Sequence, residues 1–242
     1  MWRITWRRFV RSKLAVASLV YIALITFIAI AAPLLSRYDP NAIDLIHRLH
    51  APTAQHYFGT DDLGRDVLTR IMYGARVSLT IAFSATVLSL IVGSFLGALA
   101  GYYGGAIDWI VSRLIEIVLC FPFLFLLLGI VALFNPSMTT ILVALGLTSW
   151  TTEARFIRGE FLKVREMDFA QAARAIGARD ARIIFRHLLP NSLAPVLVSA
   201  SFGVANAILF ESAISFLGLG VAPPMASWGS ILSVAEEFID YA

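Results

Sequence analysis

The sequence predicts an all-α polytopic membrane protein with five transmembrane helices, and three observations carry that prediction. Hydrophobic residues fill 59% of the 242 positions and charged residues only 14%, against about 45–50% and about 25% in soluble domains. Four stretches reach or approach the about 20 apolar residues that a helix needs to cross a roughly 30 Å hydrocarbon core. Basic residues concentrate on alternate connections between those stretches, as they do when one side of a membrane retains positive charge. The mean hydropathy of +0.80 agrees.

The first span is Leu14 to Leu35. It follows the basic segment WRITWRRFVRSK, and a 22-residue apolar run with no small-residue cleavage site after it reads as an uncleaved anchor rather than a signal peptide. Val77 to Ile107 carries no charge, and its spanning part ends where Gly101, Gly104 and Gly105 break the helix. Leu114 to Phe134 holds Glu116 near its start and a kink at Pro122. Ser137 to Trp150 is short, and spans if Glu153, Arg155 and Arg158 sit in the headgroup region and snorkel outward. Leu193 to Leu219 is interrupted only by Glu211. Five spans leave the C-terminus outside, after the acidic stretch EEFIDYA, which leaves room for a sixth span beyond this chain.

With the N-terminus in the cytoplasm, Arg3, Arg7, Arg8, Arg11, Lys13, Arg113 and the eight basic residues from Arg155 to Arg186 all fall inside. Residues 36 to 76 are the exception, an external segment whose five arginines are matched by Asp39, Asp44, Asp61, Asp62 and Asp66. The 19 Lys and Arg residues include only two lysines, Lys13 and Lys163, and form no basic tail suited to nucleic acid. Cys120, the single cysteine, lies in an apolar run, has no intrachain partner and reads as a small core residue.

Residues 165 to 190, REMDFAQAARAIGARDARIIFRHLLP, stand apart as a polar, arginine-rich helix-turn-helix between apolar runs. Asp168 is placed to cap a helix beginning at Phe169, with Gln171 three residues on as its capping-box partner. Phe169, Ala172, Ala173 and Ile176 follow helical spacing and form one apolar face. Gly177 ends that helix, Asp180 caps a second one, and Pro190 stops it. Arg174, Arg179, Arg182 and Arg186 suit either an acidic lipid surface or an acidic partner.

QAARAIGARDARIIFRHLLP resembles the EAA loop of ABC importer permeases, with Ala172, Ala173, Gly177, Leu189 and Pro190 at the matching positions. Gln171 replaces the pattern's glutamate and His187 its isoleucine. Collinear with it, YDPNAIDL, HYFGTDDLGRDVLTRIMYGARVSL and SFLGLGVAPPMASWG resemble the second-permease type of the dipeptide/oligopeptide/nickel family. The resemblance implies an ABC type I importer permease in a bacterial or archaeal plasma membrane, with a loop that inserts into a groove on a cytoplasmic ATPase subunit. The partners it implies are a second permease subunit, two ATP-binding subunits, an extracytoplasmic substrate-binding protein and membrane lipid. It divides the chain into a basic N-terminus and first span (1–35), an external loop with an amphipathic helix (36–76), and a permease domain (77–242) containing the coupling loop 165–190.

No phosphate-binding loop precedes either lysine, so ATP chemistry is expected on a separate subunit and no enzyme activity or cofactor is expected in this chain. His47, His50 and His56 near Asp44 invite a metal reading, since His47 and His50 are three apart, but nothing in the pattern would orient them. They read as solvated loop residues.

Gly93, Gly97 and Gly101 recur every four residues, the spacing that lets helix backbones approach closely in lipid. Ser199, Gly203, Ala207 and Glu211 repeat it and place a deep carboxylate on a small-residue face, where a structural hydrogen bond is favoured over a pathway role. Val67, Leu68, Ile71, Met72 and Ala75 share one face of an external amphipathic helix that the resemblance connects with receiving the binding protein. An ion-gradient carrier would instead show paired charges at the midplane and inverted repeats. A scaffold protein would keep the loop without a path.

Overall fold

The computed structural model describes residues 9–239, so Arg3, Arg7 and Arg8 and the last three residues of the acidic C-terminal stretch lie outside it. All named elements are helical: α1 (Lys13–Leu35), α2 (Val67–Tyr103), α3 (Gly105–Leu119), α4 (Phe123–Leu133), α5 (Met138–Val164), α6 (Asp168–Ala175), α7 (Asp180–Arg182), α8 (Leu189–Ile214) and α9 (Trp228–Glu237). A 3₁₀ turn (Leu45–His47) and two π-helical segments (Ile183–Leu188 and Ser215–Leu219) complete the order.

Three helical stretches among the described residues are long and apolar enough to cross a membrane: Lys13–Leu35, Val67–Tyr103 and Ala194–Leu219. The pair α3 and α4 is long and apolar enough only when the two helices are counted together, and they are bent by 82° at the break between them. The kink expected at Pro122 is thus a full break, since proline cannot donate into the preceding turn and clashes with it. Cys120 sits at this break and is exposed, which corrects its reading as a core residue. The fifth expected span, Ser137 to Trp150, is the apolar start of α5, whose Ser137 cap accepts from Thr140 N. The helix continues past it through a charged half to Val164.

The chain divides into two compact units. The first holds residues 1–79 and 215–242. In it, α1 buries only Ala29 and Ala32 within this chain and is apolar all round, the pattern of a membrane-crossing helix. Aspartates order the connection that follows. Asp61 accepts from the backbone of Leu63 and Arg65 and from Arg65 Nε at 2.7 Å, and Asp66 caps α2 by accepting from Thr69 N at 2.8 Å. The amphipathic stretch from Val67 is therefore not a separate external helix but the first turns of α2. A helix not foreseen in the sequence, α9, begins at a Ser227–Ser230 capping box and donates from Trp228 N to Ser78 Oγ at 3.2 Å.

The second unit, residues 80–214, packs the remainder of α2 against α5. One buried cluster joins Ala98, Tyr102, Ile157, Phe161 and Val164 to Ala170, Ala173, Ile183, Ile184 and Leu188. A second joins Ala100, Val111, Ile115, Trp150 and Ala154. Pro190 does not stop the helix that carries it: the chain runs from α7 through Ile183–Leu188 into α8. The π-helical register change before Pro190 absorbs its missing donor and its clash with the carbonyl four residues back.

Candidate functional site

The loop from Arg165 to Pro190 is built outward from a tightly joined base. Gly93, Gly97 and Gly101 lie where α2 meets α5. A Cβ added at Gly93 would stand 2.6 Å from Glu153 Cβ, one at Gly97 2.5 Å from Ala154 O, and one at Gly101 2.6 Å from Phe161 Cβ. Only glycine permits this approach. Arg165, capping α5, then donates through Nη1 to the carbonyls of Gly101 (2.9 Å) and Tyr102 (3.3 Å), placing a cation on the unsatisfied C-terminal end of α2.

Further ties surround this base. Arg158 grips Asp108 of α3 with two hydrogen bonds, that from Nη2 measuring 2.7 Å. Such fork-like pairs fix geometry as well as charge. Tyr102 donates its hydroxyl to Asp180 Oδ1 at 2.7 Å, and the Arg174 guanidinium stands 5.4 Å from the Tyr102 ring centre.

Asp168 does not cap α6. Met167 occupies the cap position without a side-chain hydrogen bond, and Asp168 is the first helical residue, where its charge still favours the positive helix end. Gln171 likewise does not close a capping box; its Nε2 donates to Glu166 O at 3.0 Å. An ionised glutamate, being acceptor-only, could not make this bond. Arg179 rather than Asp180 is the cap of α7, because Asp180 is turned toward Tyr102 instead.

Gly177 ends α6 at φ +75°. Its N–H donates to Arg174 O at 2.9 Å and that of Ala178 to Ala173 O at 3.0 Å, the paired bonds of a Schellman termination.

The expected single apolar face of α6 is in fact divided. Ala170 and Ala173 point inward and are buried, whereas Ile176 is 84% and Phe169 36% exposed. Each helical position turns by about 100°, so Ala173 lies about 40° round the helix from Phe169, and the boundary between base and surface falls between the two. Phe169, Ala172, Ala173, Ile176 and Ala178 line an open groove of about 560 Å³ together with Arg182, Arg186 and His187. An apolar strip with a basic rim on a rigid support can seat a protein partner by burial and orient it by charge.

Leu189 is half-buried and Pro190 exposed where α8 leaves the loop. Gly203 of α8 brings the helix against Thr86 and Glu153, and Glu211 is fully buried farther along.

Sequence reasoning missed Glu153, which was expected to snorkel outward. It is 5% exposed, and Oε2 accepts from Ser199 Oγ at 2.9 Å. The signal available was the hydroxyl-rich run LTSWTTE, unusual before a charged helix end. The loop histidines engage aspartates singly: His47 Nδ1 lies 2.7 Å from Asp44 and His56 Nδ1 2.9 Å from Asp66. The His47 hydrogen bond holds the Asp44 carboxyl below its ordinary range. Among the described residues, no group of three or more His, Cys, Asp or Glu is gathered closely enough to hold a metal.

Comparison with known proteins adds an independent finding. Residues 93–237 match the family described as binding-protein-dependent transport system inner membrane component. Residues 1–52 match the N-terminal TM domain of oligopeptide transport permease C. The chain is 44% identical over its whole length to a dipeptide transport system permease protein of Alkalihalophilus pseudofirmus, covering 79% of that protein. It is 37% identical, again over its whole length and 79% of the relative, to an oligopeptide transport system permease protein of Bacillus subtilis. A glutathione transport system permease protein of Pectobacterium atrosepticum is 37% identical over 98% of this chain and 79% of its own length. Among solved structures, an inward-facing MetNI methionine ABC transporter chain shares the fold with a TM-score of 0.58 at 18% identity, over 70% of this chain and 81% of that one.

Proposed function

The chain belongs to the binding-protein-dependent transport system inner membrane components, and from that premise we propose that it forms half of the membrane path of an ATP-driven peptide importer. It is a membrane-embedded transport permease, which removes the ion-gradient carrier as an alternative. The substrate reading follows relatives named for dipeptides, oligopeptides and glutathione. In this reading the other half is a second permease, and an extracytoplasmic binding protein delivers the solute. ATP is hydrolysed on two separate subunits. The N-terminus faces the cytoplasm, which puts the loop 165–190 on the side where ATP is available. Residues 77–242 form the permease domain around that loop.

The observation that carries the coupling role is the exposed strip of Phe169, Ala172 and Ile176 held on a buried base. Asp168, Gln171, Ala172, Ala173, Gly177, Leu189 and Pro190 form the coupling element in this reading. Some of these residues present the strip, and others hold its shape. Closure of the ATPase subunits then moves α5 and α8 through a loop joined to both.

Ile176→Asp tests this assignment. Its side chain is mostly solvated in the isolated chain, so folding should change little. Co-purification of the ATP-binding subunits should fall at least about tenfold, because a charge replaces an apolar anchor at the interface. Normal co-purification with normal solute-stimulated ATP hydrolysis would remove the docking role.

A further inference from the structure

The second unit contains a cavity of about 290 Å³ lined by α2, α5 and α8 and by the break between α3 and α4, whose chemistry the coupling mechanism does not use. Its polar lining includes Thr86, Ser89, Thr152, Ser199 and Asn206, with Glu153 among them, and Phe123, Phe202 and Phe210 supply an apolar side. Phe123 and Phe210 touch, their ring centres 4.4 Å apart.

Two groups in this cavity lack what burial normally demands. Glu153 is nearly enclosed, and its only recorded partner among the described residues is the Ser199 hydroxyl. Its other oxygen, Oε1, lies beside Gly203, where even an added Cβ would be 3.6 Å away. Of the arginines nearest in sequence, Arg158 grips Asp108 and Arg155 is exposed. Ser89 Oγ is buried without a hydrogen-bond partner. An enclosed carboxylate without a counter-charge is costly, and a cationic hydrogen-bond donor entering the cavity relieves that cost.

We infer that the Glu153 cavity is a transit site for the primary ammonium group of the imported solute. The inference rests on the peptide-import reading and names the group of the solute that this chain recognises. An ammonium offers three donors, suited to the free Glu153 oxygen and surrounding hydroxyls. The volume, several times that of a water molecule, fits a short peptide rather than a bare inorganic ion. The aromatic side accommodates the remainder of the solute.

The test uses the complete transporter in proteoliposomes and compares ATP-driven uptake of dialanine with that of N-acetyl-dialanine. Glu153→Gln keeps the side-chain volume and an acceptor for Ser199. It should lower the ratio of dialanine to N-acetyl-dialanine uptake about tenfold or more, the scale of one charge-assisted hydrogen bond. Glu153→Asp, which keeps the charge, should retain most of the preference. An unchanged ratio in Glu153→Gln, including an equal loss for both solutes, overturns the inference.

If the wild-type transporter takes up neither peptide, the peptide reading falls, and a second measurement decides the site separately. Ethylammonium chloride should raise the melting temperature of the wild-type complex above that in sodium chloride of equal ionic strength, and Glu153→Gln should abolish the difference. Equal stabilisation by the two salts, or a difference that persists in the variant, overturns the ammonium site.

Discussion

Gly97 and Gly177 are the same residue under opposite constraints. Around Gly97 the Ala154 backbone leaves no room for a side chain, yet the glycine lies in an ordinary helix. Around Gly177 nothing stands within 4 Å of an added Cβ, yet φ is +75°. The first glycine is required by a neighbour and the second by its own backbone. This difference separates the two regions that contain them. The α2–α5 contact is filled, whereas the tip of the loop 165–190 is shaped and left open. A coupling element needs that combination, because force applied at the tip is lost if the base yields.

Gly97→Val is the strongest challenge to the comparison. The branched side chain would meet the Ala154 backbone, which cannot rotate aside. The expected cost is about 3 kcal/mol, at the upper end for overpacked contacts, seen as a large fall in melting temperature of the purified complex or as failure to assemble. A normal melting temperature would mean that the two helices need not meet closely.

Gly177→Ala should be milder. It adds no collision and only forces an alanine into a left-handed conformation, costing about 1 kcal/mol. The loss should be confined to the loop: faster amide exchange over residues 168–182 while α2 and α5 keep their protection. Equal loss in all three helices would show that base and tip are one cooperative unit.

The sequence made the base and tip unequally legible. Four-residue glycine spacing announced the α2–α5 contact because packing in lipid leaves a periodic trace. Gly177 was legible because few residues accept its conformation. The orientation of α6 was not, since Phe169, Ala170, Ala172, Ala173 and Ile176 are all apolar, and only the neighbours supplied by α5 and the π-helical turn decide which face inward. Asp180 and Glu153 were misplaced for a related reason. Local rules offered each a cap or a solvent-facing role, and distant partners, Tyr102 and Ser199, claimed them instead. The helix α9 was missed because its capping box uses two serines rather than the serine–glutamate pair that pattern reading seeks.

The finest distinction between shape and contact lies at Gln171, where the resembling loops carry glutamate. Its amide donates inward to Glu166 O across the start of α6, so its task in this chain is local. Gln171→Glu removes that donor and sets a carboxylate beside a carbonyl oxygen, with the Glu166 side chain nearby. The expected loss is about 1 kcal/mol or less, since the position is exposed and the bond is a single neutral one. Amide exchange should quicken over residues 166–172 while co-purification of the ATP-binding subunits holds steady. A severalfold change in co-purification with exchange unaltered would assign Gln171 to the partner's surface instead, and would move it from the support of the loop to its contact face.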